Sequence, residues 1–193
     1  AADFFWAASQ DEDGTLMLGT VNGISYTNPV KPFYQVYNLS KKLPNLEANF
    51  GVLWVHEENA RSWWIGTHKD GLLHYNAVID SLEVFPFEHR VNSVFILGNK
   101  IYIASNLGFF TFDKAKKKYS EIKLPEEVAK NQKGVFDFFS QNDSTLWFSG
   151  YGKYILKYNV NSNKFNYFDL EAHIGEHKLL GGAAVFFDKN NGV

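Results

Sequence analysis

The chain has 193 residues, a formal net charge of -2 and no cysteine. Its near-neutral balance argues against the electrostatic footprint of a nucleic-acid binder. The lack of cysteine excludes disulfide staples, thiolate metal ligands and a thiol nucleophile. With 5 Trp, 10 Tyr and 18 Phe, the composition favours pleated, half-buried sheet faces, and no apolar run approaches the ~20 residues that a membrane-spanning helix needs.

In chain order, the first predicted strand is Phe4-Phe-Trp-Ala-Ala8, followed by the turn Asp11-Glu-Asp-Gly14 and a second strand Leu16-Met-Leu-Gly-Thr20. The same order recurs roughly every 40-odd residues, a spacing that marks propeller blades. The later first strands are Gly51-Val-Leu-Trp-Val55, Val91-Asn-Ser-Val-Phe-Ile96 and Val135-Phe-Asp-Phe-Phe139. They are apolar at nearly every position, as suits the crowded innermost place in a blade. Turns follow at Gly98-Asn99 and Asn142-Asp-Ser144, and Glu57-Glu-Asn59 fills that place in the second unit. The second strands end in small residues: Trp63-Trp-Ile-Gly-Thr67, Ile101-Tyr-Ile-Ala-Ser105 and Leu146-Trp-Phe-Ser-Gly150.

A glycine then opens the third strand at Gly23, Gly71 and Gly108, with Tyr154 in its place in the fourth unit. Glycine supplies the positive φ that a tight turn needs there. Five residues on stand Asn28, Asn76, Asp113 and Asn159, whose side chains are suited to closing the turn into a fourth strand by bonding the backbone two residues ahead. Six residues beyond come Tyr34, Leu82, Tyr119 and Phe165, then at alternate spacing Val36, Val84, Glu121 and Tyr167, a pattern that predicts a face packed on the next blade. A fifth unit opens at Gly181-Gly-Ala-Ala-Val-Phe-Phe187. The expected architecture is therefore an all-β propeller fragment: four four-stranded blades at residues 1–37, 50–87, 91–122 and 134–169, and the start of a fifth at 180–193. Because open sheet edges are a liability, four blades and a fragment point to part of a larger propeller.

The unit Ser62-Trp-Trp-Ile-Gly-Thr-His-Lys-Asp-Gly-Leu-Leu-His-Tyr-Asn76 resembles the two-component regulator propeller repeat, and Gly14-Thr-Leu-Met-Leu-Gly-Thr-Val-Asn-Gly-Ile24 is similar. The third and fourth units keep the spacing but carry Ala104-Ser105 and Ser149-Gly150 where the repeat has Gly-Thr. In that family the repeats form the periplasmic sensor region of Bacteroides-type hybrid two-component proteins, with paired seven-bladed propellers, a small β-sandwich, a membrane helix, a kinase and a regulator. The resemblance implies a non-catalytic ectodomain that detects an oligosaccharide and signals across the membrane. It also implies a homodimer formed through the whole ectodomain, with the histidine kinase and membrane segment outside these residues. The opening Ala1-Ala-Asp-Phe4 lacks the basic start of a signal peptide.

The repeat residues are structural, so ligand contacts are expected on the turns between second and third strands and on the blade-linking loops. The candidates are Asn22, His68, Lys69, Asp70, Asn106, Tyr151 and Lys153, with His89 and Arg90 and, beside them, Asn45, Asn49 and Glu88 on links. Charged and neutral hydrogen-bonding groups next to aromatic rings suit a sugar, and His68-Lys69-Asp70 is the foremost loop. Trp6, Trp54, Trp63, Trp64 and Trp147 fall within strands and are expected to pack between blades. Lys114-Ala-Lys-Lys-Lys118 reads as a solvated hairpin tip. His173 and His177 stand four apart, but a glycine lies between them and no third ligand is spaced to join them, so no metal and no cofactor is expected. The alternatives are a propeller lyase or glycosidase, for which Asp137 is the one acid on an innermost strand, and a protein-interaction scaffold.

Overall fold

The structure is a computed structural model describing residues 5–10, 15–20, 23–28, 33–42 and 51–174. The Asp11–Gly14 turn, Asn22, Asn45, Asn49, His177 and the fifth unit lie outside the described residues. The chain forms two compact units, Ala1–Val91 and Asn92–Val193. In the first unit, strands β1 (Phe5–Gln10), β2 (Leu16–Thr20), β3 (Gly23–Asn28) and β4 (Phe33–Asn38) make one antiparallel sheet, and β5 (Val52–Asn59), β6 (Ser62–Thr67), β7 (Leu72–Asn76) and β8 (Ser81–Phe85) make another. The second unit holds β9 (Val91–Leu97), β10 (Lys100–Ser105), β11 (Gly108–Asp113) and β12 (Lys118–Ile122) in one sheet. Its other sheet holds β13 (Lys133–Asn142), β14 (Thr145–Tyr151), β15 (Tyr154–Asn159) and β16 (Lys164–Asp169). Each sheet is a simple meander, so the chain is all-β and built of propeller blades. Two short helices, α1 (Glu126–Asn131) and α2 (Glu171–Ile174), lie in connections after the third and fourth sheets.

Each unit buries its own core between two sheets. In the first, Met17, Ile24 and Leu39 meet Val55, Trp63, Ile65, Leu73 and Tyr75. In the second, Tyr102, Ala104 and Phe109 meet Val135, Leu146, Phe148, Leu156 and Tyr158, with Val128 of α1 added. Strand β6 is buried at every residue, which accounts for its freedom from polar alternation. The tryptophans of the second strands pack as expected. Trp63 sits among Tyr37 and Tyr75, and Trp64 is covered by His74 and Phe85. Trp147 is covered by Phe168 and capped by the Lys157 ammonium.

The small residue near the end of each second strand has a steric cause. A Cβ on Gly19 would stand 2.7 Å from Val52 Cγ1, and one on Gly66 would stand 2.7 Å from Val91 Cγ1 and 3.0 Å from its carbonyl oxygen. Val52 and Val91 are the first residues of the first strands that follow, and both are fully buried. In the second unit Ala104 and Val135 share one core cluster. The first two blades thus each present a glycine to the valine that begins the next first strand.

The hairpin turns follow the sequence closely. Asn76 Oδ1 accepts from the Val78 and Ile79 amides, Asp113 Oδ1 from Ala115 and Lys116, and Asn159 Oδ1 from Asn161 and Ser162. The left-handed residue that ends each of these turns is Asp80, Lys117 or Asn163. In two of them the tyrosine before the Asx donates to that residue, Tyr75 to Asp80 at 2.8 Å and Tyr158 to Asn163 at 2.7 Å.

Two expectations need correction. Glu57-Glu-Asn59 is not a turn: β5 runs through Asn59 and the chain reverses at Ala60-Arg61, with Arg61 at φ 64° and its amide bonded to Glu57. The second alternate position of the fourth strand does not face a core: Val36, Glu121 and Tyr167 are exposed, and only Val84 packs inward. The outermost strand has no further strand beside it, so its far half meets solvent. Between the third and fourth sheets, Pro125 sets the start of α1, and Val128 anchors it in the second core.

Gly66→Ala is expected to lower unfolding stability by roughly 1–3 kcal/mol, the range for overpacking a tight interior. Because the clash is with Val91, the double variant Gly66→Ala/Val91→Ala should lose less than the sum of the two single losses, as read by denaturant unfolding. Strict additivity would show that the two side chains do not meet.

Candidate functional site

The turns between second and third strands come in two lengths. Asn106-Leu107 joins β10 to β11 and Gly152-Lys153 joins β14 to β15 with two residues each, whereas four residues, His68 to Gly71, join β6 to β7. The longer turn carries His68, Lys69 and Asp70, and Tyr151 ends β14.

In the first unit the turn is fixed by Thr67, whose hydroxyl donates to the Gly71 carbonyl at 2.8 Å and accepts from the Asp70 amide at 2.9 Å. Gly71 has φ 80°, and a Cβ there would lie 2.4 Å from the Phe85 carbonyl oxygen, so only glycine fits. The His68 amide donates to the Gly51 carbonyl at 3.0 Å, pinning the turn to the start of β5. His68 and Asp70 are half-buried and Lys69 is exposed. Burial, with the Arg90 and Lys69 charges beside it, holds the His68 imidazole below its ordinary pKa and so favours its neutral form. His89 stands edge-on to Phe87 at 5.1 Å. The structure therefore brings His68, Lys69 and Arg90 within electrostatic reach of one another and presents a neutral imidazole beside two cations.

In the second unit Asn106, Tyr151 and Lys153 occupy the corresponding turns. Ser105 accepts from the Leu107 amide at 3.3 Å, a weaker version of the threonine device. Tyr151 is exposed, with its ring edge packed against Phe136 at 4.2 Å. Lys153 is paired with Asp169 at 2.7 Å. This pairing holds the Asp169 carboxyl below its usual range and raises the Lys153 ammonium.

A buried polar side chain lies between these turns and α1. Gln132, the last residue before β13, is 4% exposed, and neither its Oε1 nor its Nε2 has a hydrogen-bond partner among the described residues. It lines a cavity of about 290 Å³ together with Leu107, Phe109, Ile122 and Leu124, with Glu121 and Lys123 also on the wall. The fourth unit departs from the repeat to make room for Gln132. A Cβ on Gly150 would lie 2.0 Å from the Gly134 oxygen and 2.8 Å from Gln132 Nε2, so the repeat's threonine cannot stand there. A Cβ on Gly152 would lie 2.8 Å from the Asn131 oxygen and 3.0 Å from Gln132 Cα. Tyr154, where the repeat has glycine, donates to Glu127 of α1 at 3.0 Å and ties the helix down. The one signal in the sequence was the Pro125-Glu126-Glu127 start of a helix.

Two constellations bear on catalysis. Ser62, His74 and Glu58 have the residue types of a hydrolytic triad. However, Ser62 Oγ at 2.9 Å and Glu58 Oε2 at 3.2 Å both approach the same ring nitrogen, Nε2. A relay needs the acid on one nitrogen and the nucleophile on the other, so this group is a structural cluster. Asp137 lies on β13, half-buried, bonded to Ser93 and accepting from the Phe138 amide. Among the described residues no group of three or more His, Asp or Glu could hold a metal ion, and no helix is long and apolar enough to cross a membrane.

No protein-family model and no curated protein matches the chain. Solved structures do resemble it. One is described as the extracellular domain of the hybrid two-component system BT3049 from B. thetaiotaomicron. It aligns with 95% of this chain at a TM-score of 0.71 and 15% identity. The corresponding domain of BT4673 from the same organism aligns with 93% at a TM-score of 0.66 and 17% identity. This chain spans about a quarter of each, 24% and 23%. The WD40 repeats of RRP9 align with 88% of this chain and 52% of their own at a TM-score of 0.68 and 13% identity. At these identities the likeness is one of fold, that of propeller blades.

Burial raises the folded-state pKa of Asp137 above 3.8. The stability of its neutral form is thus present below the unfolded pKa and is lost as pH rises through the folded one. Asp137→Asn keeps the acceptor for Phe138 and removes the charge. Its melting temperature should exceed that of the parent chain at pH 7, and the gap should shrink toward pH 3. A gap independent of pH would contradict the assignment.

Proposed function

We propose that this chain is part of the ligand-sensing ectodomain of a hybrid two-component sensor. In this reading it is non-catalytic, extracytoplasmic and responsive to an oligosaccharide. The observation that carries the proposal is the agreement of fold over 95% of the chain with the extracellular domain of BT3049. It is joined by the regulator-propeller repeat read in Ser62–Asn76. The turns support a sugar-facing role: His68 offers a neutral ring nitrogen beside Lys69 and Arg90, and Tyr151 offers an open aromatic face. Binding would act by favouring one arrangement of paired ectodomains over another, the one route by which a ligand shifts such an equilibrium. Kinase, membrane helix and homodimer partner belong to this proposal as parts of the parent protein.

The test is thermal unfolding of the chain against a panel of oligosaccharides. A ligand at one hundred times its Kd stabilises the folded state by about 2.7 kcal/mol, which raises the melting temperature by several degrees in a chain of this size. At least one glycan should do so, and His68→Ala or Tyr151→Ala should abolish the shift without lowering the unliganded melting point. A flat response across the panel contradicts the reading.

A further inference from the structure

We propose that the lysine-rich hairpin tip of the third sheet docks on an anionic lipid surface. The proposal goes beyond the sensing reading and does not depend on it.

The tip gathers charge from three strands. Lys100 opens β10, Asp113 ends β11 and Lys118 opens β12, and the register sets Lys100 opposite Asp113 and Asp113 opposite Lys118. Lys100 and Lys118 therefore stand on one face, two strand spacings or about 10 Å apart. Lys114, Lys116 and Lys117 lie in the turn between β11 and β12. From Gly98 to Lys118 the chain has five lysines and a single acid, Asp113. That carboxylate is engaged in building the turn. It accepts from the Ala115 and Lys116 amides at 3.0 Å each and from Asn99 Nδ2 at 2.9 Å, and Lys116 Nζ stands 3.8 Å from its other oxygen. Lys100, Lys116, Lys117 and Lys118 are exposed.

Two counterpart turns show that the fold does not require these lysines. Asn76 and Asn159 close their turns with the same side-chain bonds as Asp113. Yet Asn76 is followed by Ala77-Val-Ile-Asp-Ser81 and Asn159 by Val160-Asn-Ser-Asn-Lys164, against Lys114-Ala-Lys-Lys-Lys118 here. In the place of Lys100 stand Ser62 and Thr145, both buried. Lys117 is the most telling. It lies in the left-handed region at φ 51°, where the counterparts are Asp80 and Asn163. Asp and Asn adopt that conformation more readily than lysine does. A strained position filled by the less suited residue points to a role for its charge.

The chemistry of the tip selects the occupant. All five cations are lysines, hydrated point charges on flexible stems; the arginine fork that grips a carboxylate, sulfate or phosphate by two bonds at once is absent. No open aromatic face is offered to a sugar, because Tyr119 is half-buried with its ring against Phe112 at 4.8 Å. Ala115 to Lys118 are exposed without interruption, so the turn projects. A projecting cluster of hydrated point charges matches a broad layer of anionic headgroups, to which each lysine contributes by proximity and not by fixed geometry. The tip is at the end of the third sheet away from Asn106-Leu107, so docking leaves that turn open.

The experiment sediments the 193-residue chain with vesicles made of equal parts phosphatidylcholine and phosphatidylglycerol, and with vesicles of phosphatidylcholine alone. The chain should pellet with the anionic vesicles only, and added salt should release it by screening. Each lysine at such a surface contributes about fivefold to partitioning. Lys116→Gln/Lys117→Asn/Lys118→Gln should therefore weaken binding on the order of a hundredfold. Its melting temperature should be no lower than the parent's, because Asn suits the left-handed position. Lys123→Gln/Lys130→Gln/Lys164→Gln removes the same charge elsewhere and should bind as the parent does. No binding to anionic vesicles at low salt, or an equal loss in both triple variants, would overturn the proposal. So would a chain that ignores the vesicles and binds soluble heparin, which would make the tip a polysaccharide site. A melting shift with oligosaccharides in the same chain would leave the sensing reading standing while this one fell.

Discussion

The valine that begins one blade lies where the side chain of the preceding blade's second strand would otherwise stand. Val52 against Gly19 and Val91 against Gly66 leave no room for a Cβ, and Val135 shares a core with Ala104. Sheets normally pack about 10 Å apart, and local removal of side chains lets the facing strands come closer at these points. Beside them, Trp63, Ile65 and Tyr75 in one unit and Phe109, Phe148 and Tyr158 in the other fill the core of each unit.

The same seating sets the turns. With the first strand fixed, the residues at its start become neighbours of the preceding turn, as in the bond from the His68 amide to the Gly51 carbonyl. Gly134, at the start of the fourth sheet's first strand, presses on Asn106 in the same way. Variation is tolerated where it does not disturb that contact. The fourth unit could therefore exchange Thr for Gly150 and Gly for Tyr154, admit a helix end, and leave the Gln132 cavity beside it.

The fold was largely legible because its signals are local and repeated. Asn76, Asp113 and Asn159 make the predicted turn bonds, and the glycines that open the third strands have positive φ. Their periodicity was evident without knowledge of any contact. What failed was non-local. Arg61 in the left-handed region is invisible until Glu57 is seen to satisfy its amide. The exposure of Val36 and Tyr167 follows from their being on an outermost strand, not from their type. Candidate residues were legible as turn residues only. Lys153 looked like an available cation until its partner Asp169, sixteen residues on, was seen. Gln132 had no signal at all, because an unpartnered amide is defined by its surroundings.

The central claim is that the valines opening the second, third and fourth first strands pack against the small residues of the second strands before them. It is tested most directly by nuclear Overhauser contacts in a valine-methyl-labelled chain. Cross-peaks are predicted from Val52 methyls to the Gly19 α-protons, from Val91 methyls to those of Gly66, and from Val135 methyls to the Ala104 methyl. Their absence, with these valines instead close to a hydrogen-bonded strand of another unit, would contradict the account.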